Sequence, residues 1–215
     1  MRLIRKLSGL VLSLMVAQGA MAVENEPSAE DVLAATEFVQ QLADATITSL
    51  SDDTLTDSVR RSQFDELIER GFAAEYISKV VIGRYWRKMD PDQRSEYLFL
   101  FRTFILDSLM SRLSLFNDEY LNILGHNFTK KGDVFILSQI VMKSEAFDVD
   151  WRVRKMKGEY KIIDVRLEGI SMVITSHEEV TGIAFTDGVE GLLNSLRERI
   201  ETESSEPLVN STLQY

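Results

Sequence analysis

Few side chains in this sequence could carry out catalysis or bind a metal ion. The 215 residues include two histidines and no cysteine. Neither His126 nor His177 stands at a metal-ligand spacing from aspartate or glutamate partners. The chain also has no glycine-rich phosphate loop and no serine in a nucleophile elbow. We therefore predict no catalytic residue, no metal site and no cofactor, and a hydrolytic enzyme is the least favoured interpretation.

Basic side chains concentrate in one segment of a chain whose formal net charge is −10. They are Arg152, Arg154, Lys155, Lys157, Lys161 and Arg166. In alternating strands, Arg152, Arg154 and Arg166 would share the face opposite Trp151 and Val153. This face is either a docking patch for an acidic partner or a lipid phosphate, or a solvated sheet surface. The acidic balance of the whole chain argues against nucleic acid as a partner.

The chain begins with the pattern of a secretory signal peptide. Three basic residues precede an apolar stretch at 7–17, and a small-residue motif ends at Ala22. The apolar stretch is too short to span a bilayer, which takes about 20 helical residues. We predict cleavage after Ala22 and export. Because the chain has no cysteine, the exported protein must be stabilised by an ordinary hydrophobic core.

Helical periodicity lies on both sides of a central region of strands. Apolar residues recur every three or four positions over residues 32–47, and shorter helical pieces follow. Asp90 can cap a long helix that begins at Pro91, with Gln93 as the capping-box partner. The apolar face of this helix is broad, which indicates burial on more than one side. Helical spacing returns over residues 180–200.

Between the helices, the spacing of apolar residues changes from near four to two. Residues 120–128 and 134–142 flank a turn, and residues 147–154 and 161–167 alternate apolar with polar side chains. Four strands joined by short turns form an antiparallel meander, with one covered face and one solvated face. We expect residues 170–173 to leave the sheet.

These elements predict a single α+β domain of N-terminal helices, a four-stranded antiparallel sheet and C-terminal helices. No internal repeat and no linker interrupts residues 30–200. The predicted organisation is a signal peptide at 1–22, the domain at 23–201 and a disordered tail at 202–215. The tail is assigned because its Glu, Ser, Thr and Asn residues have little to bury.

Two motifs resemble a known family. The first is GRYWRKMDPDQR at residues 83–94, and the second is DVRLEGISMV at residues 164–173. With the order of the elements over residues 30–200, they are similar to the MlaC family, also known as toluene-tolerance or phospholipid-transport substrate-binding proteins. The sequence departs from the family pattern in the run ITSHEEV at residues 174–180 and at Tyr160, which replaces the usual tryptophan.

The resemblance implies a periplasmic lipid carrier. Such proteins shuttle phospholipid between an outer-membrane lipoprotein–porin complex and an inner-membrane ABC transporter complex, in support of outer-membrane lipid asymmetry. The resemblance also implies that a curved sheet and helices enclose an apolar pocket for the acyl chains, with the headgroup outside. We expect the lipid-binding residues to be Tyr85, Trp86, Phe101, Phe104, Phe147, Val149, Trp151, Val153, Ile163 and Val165.

Two alternatives to a phospholipid carrier stay open from the sequence. A relative associated with hopanoid synthesis and transport would carry a different lipid, a triterpenoid. A periplasmic interaction module would carry no ligand, because its helices and sheet would fill each other. The lipid extracted from the purified protein distinguishes these three functions.

Overall fold

The computed structural model describes residues 26–52, 54–113, 120–141 and 145–205. In these residues, six α-helices and one 3₁₀ helix accompany a five-stranded sheet. In chain order the elements are α1 (Ala29–Ser51), α2 (Asp57–Gly71), α3 (Ala74–Ile82), the 3₁₀ helix (Gly83–Lys88), α4 (Pro91–Leu113), β1 (Tyr120–Phe128), β2 (Val134–Val141), β3 (Ala146–Met156), β4 (Glu159–Leu167), β5 (Ile170–Ser171), α5 (Met172–Thr186) and α6 (Gly188–Ser205). The predicted signal peptide lies outside the described residues. Helix α6 continues into the predicted tail as far as Ser205.

The sheet is antiparallel throughout, with the strand order β1-β2-β3-β4-β5. The α+β fold class is therefore confirmed. The expectation that residues 170–173 leave the sheet is wrong for Ile170 and Ser171, which pair with β4 as a fifth strand. The turn at Glu168 and Gly169 permits this pairing because both residues have positive φ (49° and 79°), as a two-residue type I′ hairpin requires.

A β-bulge in β4 changes which side chains share a face. Val153 pairs with Ile162, whereas Arg152 pairs with Asp164, so Ile163 is the inserted residue. The predicted strict alternation over residues 161–167 is therefore wrong, because the bulge reverses the side-chain direction partway along the strand. Ile162, which is fully buried, takes the place beside Val153 that the alternation assigned to Ile163.

The register gives the sheet an apolar face and a charged face. The apolar face carries Val134, Ile136, Val149, Trp151, Val153, Ile162 and Val165. The charged face carries Asp133, Phe135, Arg152, Arg154 and Arg166. Helix α1 lies on the apolar face, where Ala35, Val39 and Leu42 are buried against the strands. This packing covers part of the apolar face.

A second apolar cluster, here called the helical cluster, forms where α3, the 3₁₀ helix, α4, α5 and α6 meet. Its buried residues are Val81, Ile82, Tyr85, Met89, Tyr97, Leu100, Phe101, Val180, Ala184, Leu192, Leu193 and Leu196. Tyr97 and Phe101 stack at 5.6 Å between ring centroids. Within the described ranges, no helix combines the length and the apolar character needed to cross a bilayer.

Side-chain caps define where the helices begin. The predicted capping box of α4 is confirmed: the Gln93 N–H donates to Asp90 Oδ1 at 2.9 Å, and the Asp90 N–H donates to Gln93 Oε1 at 3.1 Å. At α5, Ser171 Oγ accepts from the Ile174 N–H and donates to Asp164 Oδ2 at 2.7 Å. The second cap ties the start of α5 to strand β4.

Gly83 joins α3 to the 3₁₀ helix in a backbone conformation that suits glycine. Its φ and ψ are 56° and −126°. The ring of His177 lies against it, because a Cβ added at Gly83 would be 3.0 Å from His177 Cε1. His177 Nδ1 is also 2.8 Å from the main-chain oxygen of Val81. The histidine therefore holds α5 against the end of α3.

We predict that Gly83→Ala lowers the free energy of unfolding by about 1 to 3 kcal/mol, because a Cβ is strained at this φ and crowds His177. Urea denaturation measures the change. Gly125→Ala is the matched control, since a Cβ there meets no atom within 4 Å. Equal losses in the two variants would contradict the prediction.

Candidate functional site

Cross-strand pairs make the apolar face continuous from one end of the sheet to the other. The neighbours are Val134 and Val153, Ile136 and Trp151, Ser138 and Val149, Ile140 and Phe147, and Trp151 and Val165. The row begins near the β3–β4 turn at Lys157 and ends at Phe147 and Leu167. Such apolar cross-strand pairs stabilise the sheet and present one continuous hydrophobic surface.

The polar groups on the apolar face satisfy one another. Trp151 Nε1 donates to Ser138 Oγ at 3.0 Å, and that hydroxyl donates to the main-chain oxygen of Val149 at 2.6 Å. Ser138 is only 1% exposed. Because the indole N–H and the hydroxyl are both paired, the face offers hydrocarbon to a neighbouring molecule without unpaired polar groups from these two side chains.

Helix α1 is anchored at the end of the apolar face near the β3–β4 turn. Asp31 accepts hydrogen bonds from Lys155 Nζ and Tyr160 Oη, both at 2.8 Å. The hydrogen bond from Lys155 has the largest effect on the pKa of Asp31, followed by those from Ser28 and Tyr160. Together they hold that pKa well below its ordinary value. About two turns further along α1, the ring of Phe38 lies 6.4 Å from that of Tyr160. Hydrogen bonds and apolar contacts therefore both hold α1 over this end of the sheet.

The described residues leave the opposite end of the apolar face partly uncovered, and we call it the open end. Phe147 is 38% exposed, Leu167 is 37% exposed and Ile170, which pairs with Leu167, is 60% exposed. Ile140, beside Phe147, is partly buried. Large apolar side chains that lie together and face water indicate a binding surface.

Helices α2 and α4 form a second wall beside the sheet. Phe64 and Ile68 of α2 are buried against Leu106 of α4, and Phe72 packs both on this group and on the α1-covered part of the sheet. The chain after α2 also bonds to the free edge of β4, since the Ala73 N–H donates to the main-chain oxygen of Ile162 at 2.9 Å. Phe72 thus joins the helical wall to the apolar face.

The structure separates the ten predicted lipid-binding residues. Five share the apolar face: Phe147, Val149, Trp151, Val153 and Val165. Ile163 is the residue inserted at the bulge of β4. The other four lie in or against the helical cluster, with α5 and α6 as neighbours, and are Tyr85, Trp86, Phe101 and Phe104.

Trp86, in the 3₁₀ helix, is held by contacts with two basic side chains. Lys79 Nζ lies 5.1 Å and the Arg94 guanidinium 5.4 Å from the centroid of its ring. The sequence analysis assigned no lipid contact to Leu167, Ile140 or Phe72. Of these three, Leu167 was recognisable from the sequence, because it follows Val165 by two positions in β4 and therefore shares its face.

Two surface clefts in the described part of the chain are polar and do not suit acyl chains. One of about 340 Å³ is lined by Ser195, Glu198, Arg199 and Thr202. The other, of about 450 Å³, is lined by Asp65, Glu66, Glu69, Arg70, Arg102 and Lys161. Within the described ranges, no three histidine, aspartate or glutamate side chains are grouped to hold a metal ion.

Residues 40–198 match the family described as MlaC protein. The chain belongs to the MlaC family. The match covers both motifs noted in the sequence and extends from α1 to α6. The family membership predicted from those motifs is therefore confirmed.

Two relatives show how far this MlaC-family chain resembles known proteins. It is 22% identical over 140 residues to the intermembrane phospholipid transport system binding protein MlaC of Haemophilus influenzae, covering 63% of this chain and 64% of that protein. The chain thus matches less than two thirds of that relative's length. A phospholipid-binding protein from Ralstonia solanacearum, solved in complex with a phospholipid, superposes with a TM-score of 0.71 at 18% identity. That match covers 80% of this chain and 99% of the other, and it shows a shared fold.

Most side chains of the basic segment in this MlaC-family chain contact other groups of the same fold. Arg152 Nη2 and Arg154 Nε each lie 2.6 Å from a carboxylate oxygen of the buried Asp133. The Arg166 guanidinium stacks over Phe135 at 4.1 Å. Outside this group, Lys155 pairs with Asp31, and Lys161 donates to a carbonyl at the end of α2. The three arginines of the charged face are therefore held in place by Asp133 and Phe135.

Asp133 stays ionised although it is buried. Burial raises the pKa of its carboxyl, but hydrogen bonds from Arg154 and Arg152 outweigh that effect, and its pKa lies below the ordinary value. A carboxylate with a lowered pKa stabilises the fold above the unfolded pKa of about 4, and this contribution is lost as the pH falls through the folded pKa. The paired charges thus stabilise the sheet at neutral pH.

We predict that Asp133→Asn lowers the free energy of unfolding at pH 7 by about 2 kcal/mol, because two arginines that are nearly a third exposed lose their shared carboxylate. The difference from the unsubstituted protein should shrink as the pH falls from 7 to 3. Urea denaturation at both pH values measures it. Asp65→Asn, which removes one exposed ion pair with Arg102, should cost under about 1 kcal/mol. A difference that grows in acid would contradict the prediction.

Proposed function

We propose that this protein is a noncatalytic, phospholipid-binding carrier. The observation that carries the proposal is the open end, where Phe147, Leu167 and Ile170 expose hydrocarbon on the same face that α1 covers elsewhere. Acyl chains are the natural occupant of such a surface, because they extend it without requiring polar partners. The family supports this proposal, as do the relative named for intermembrane phospholipid transport and the related fold solved with a phospholipid.

The lipid contacts in this proposal lie on the apolar face. Phe147, Trp151 and Val165 would contact the acyl chains, together with Leu167 at the open end. Val149 and Val153 share this face but are fully buried, and Val153 packs under α1. Ile163 and the four aromatic residues of the helical cluster would act by supporting the wall rather than by touching lipid.

The strength of acyl-chain burial makes direct transfer between proteins necessary. Each buried methylene contributes about 0.8 kcal/mol, so two chains contribute roughly 20 kcal/mol, near the ceiling of noncovalent binding. Release into water would therefore be very slow. We propose that the carrier operates in the periplasm after cleavage behind Ala22, and exchanges lipid with an outer-membrane lipoprotein–porin complex and an inner-membrane ABC transporter complex.

The cargo is identified by native mass spectrometry of the purified protein followed by lipid extraction. A glycerophospholipid supports the proposal, a triterpenoid supports a hopanoid carrier, and a lipid-free protein that takes up no added phospholipid supports an interaction module. Hydrolysis of added phospholipid would contradict the noncatalytic assignment.

We predict that Leu167→Glu lowers the phospholipid copurified per protein by about fivefold or more, because a carboxylate at the open end would be desolvated by the acyl chains. Native mass spectrometry measures the occupancy. Leu33→Glu is the matched control, since Leu33 is 59% exposed on α1 and should leave occupancy unchanged. Unchanged occupancy in the folded Leu167 variant would reject this end of the sheet as the site.

A further inference from the structure

Three exposed basic side chains lie close together on the 3₁₀ helix. They are Arg84, Arg87 and Lys88, here called the basic turn. In the part of the chain that the structure describes, none of the ion pairs involves any of them. Residues 79–94 contain five basic and two acidic side chains, a net charge of +3 in a chain whose formal net charge is −10. The basic turn is therefore a cationic surface on an acidic protein.

The helical cluster fixes the position of the basic turn. Tyr85 is a buried member of that cluster, and both Arg84 and Lys88 lie over its ring, at 5.6 and 4.7 Å from the centroid. Arg84 and Arg87 are three residues apart, a spacing that places two side chains on one side of a 3₁₀ helix. Charged groups that are already held in place lose less conformational freedom when a partner binds.

The basic turn differs from the charged face of the sheet, where the sequence analysis considered an acidic partner. On the charged face, Arg152 and Arg154 already share the carboxylate of Asp133. In the basic turn, no carboxylate of the described residues has this role, and aromatic contact leaves the positive charges unpaired. The basic turn is therefore more available to an acidic partner than the arginines that Asp133 holds.

The surroundings of the basic turn favour an acidic protein as the partner. Neither of the two surface clefts described above includes a residue of the basic turn, so these clefts would not enclose a small anion there. Basic side chains attract an anionic bilayer by only about 1 kcal/mol each, and the net negative charge of the chain opposes that attraction. A protein surface presents carboxylates at fixed positions, and complementary charges of this kind set the orientation of a complex.

Helix α5 connects the open end of the sheet to the basic turn. The helix begins two residues after Ile170, and His177 lies against Gly83, which precedes Arg84. The start of α5 and His177 are about 8 Å apart along the helix axis. Ile174, which is 60% exposed, lies three residues before His177 and so on a neighbouring side of the helix. An ordinary interface buries about 800 Å² per partner, enough for one protein to reach both places.

We propose that the basic turn of Arg84, Arg87 and Lys88 is a docking surface for a protein that presents carboxylates. This inference rests on the proposed carrier function for its purpose, since a carrier that does not release lipid into water needs a partner in contact during transfer. It adds the charge of that partner and the surface that meets it. Attraction between the basic turn and carboxylates does not itself require bound lipid, so the two proposals can be tested separately.

The test uses a decaglutamate peptide as the probe. The peptide is titrated into the isotope-labelled protein at physiological ionic strength, where a screening length of about 8 Å limits the contribution of distant charges. Amide chemical shifts in NMR spectra report both the affinity and the location of binding. We expect the largest changes at residues 83–89 and in the first half of α5. Changes concentrated in any other part of the chain, or no binding, would overturn the proposal.

Charge variants show whether the basic turn is responsible for the binding. Arg84→Gln with Arg87→Gln should weaken peptide binding by about tenfold or more, whereas Arg84→Lys with Arg87→Lys should stay within about twofold because the charge is kept. Lys130→Gln with Lys131→Gln is the matched control: it removes the same charge from the exposed turn between β1 and β2 and should leave the affinity unchanged. Circular dichroism checks that each variant is folded. Equal weakening in the two glutamine variants would contradict a specific surface.

Two further measurements separate docking from lipid carriage and from membrane binding. Native mass spectrometry of the same samples measures copurified phospholipid, which Arg84→Gln with Arg87→Gln should leave unchanged. If lipid is present and the peptide does not bind, the docking surface fails and the carrier function stands. If the peptide binds at the basic turn and the protein takes up no phospholipid, the carrier function fails instead. Sedimentation with phosphatidylglycerol vesicles is the last arm: vesicle binding that requires Arg84 and Arg87, without peptide binding, would assign this surface to a bilayer and overturn the proposal.

Discussion

An antiparallel sheet with one apolar face must cover that face, and in this protein α1 covers only part of it. Helix α1 buries Ala35, Val39 and Leu42 against the strands, while Phe147 and Leu167 at the other end face water. The rest of the architecture depends on this mismatch between the area of the sheet and the area of its cover. Apolar side chains that lie together and face water are costly to leave exposed, and for this reason the proposed lipid-binding function is placed at the open end.

The charged face is stabilised by contacts among its own side chains. Asp133 holds Arg152 and Arg154 in place, and Arg152 and Arg166 lie over the ring of Phe135. Arg154 also donates a hydrogen bond to Tyr76 of α3. The apolar face depends instead on hydrophobic packing with α1.

The helical cluster packs mainly within itself, and Asp164 and Ser171 join it to the sheet. Its aromatic residues lie between α4, α5 and α6, so α4 meets α2 through Leu106 and not through its broad aromatic face. Helix α2 in turn is linked to the sheet by Phe72, which follows its last residue.

The sequence by itself determined the α+β class, the capping box at Asp90 and the presence of one apolar and one charged sheet face, because these features depend on residues a few positions apart. It also determined the family, through motifs that are local. Only the tertiary structure decided that Ile162 replaces Ile163 beside Val153, since a bulge depends on the partner strand as well as on the strand itself. Likewise, only the tertiary structure decided that the aromatic side chains between positions 85 and 104 join the helical cluster. It also decided that Asp133 is the carboxylate that pairs with Arg152 and Arg154. Periodicity shows that a side chain is buried, whereas the neighbour that buries it depends on how distant segments meet.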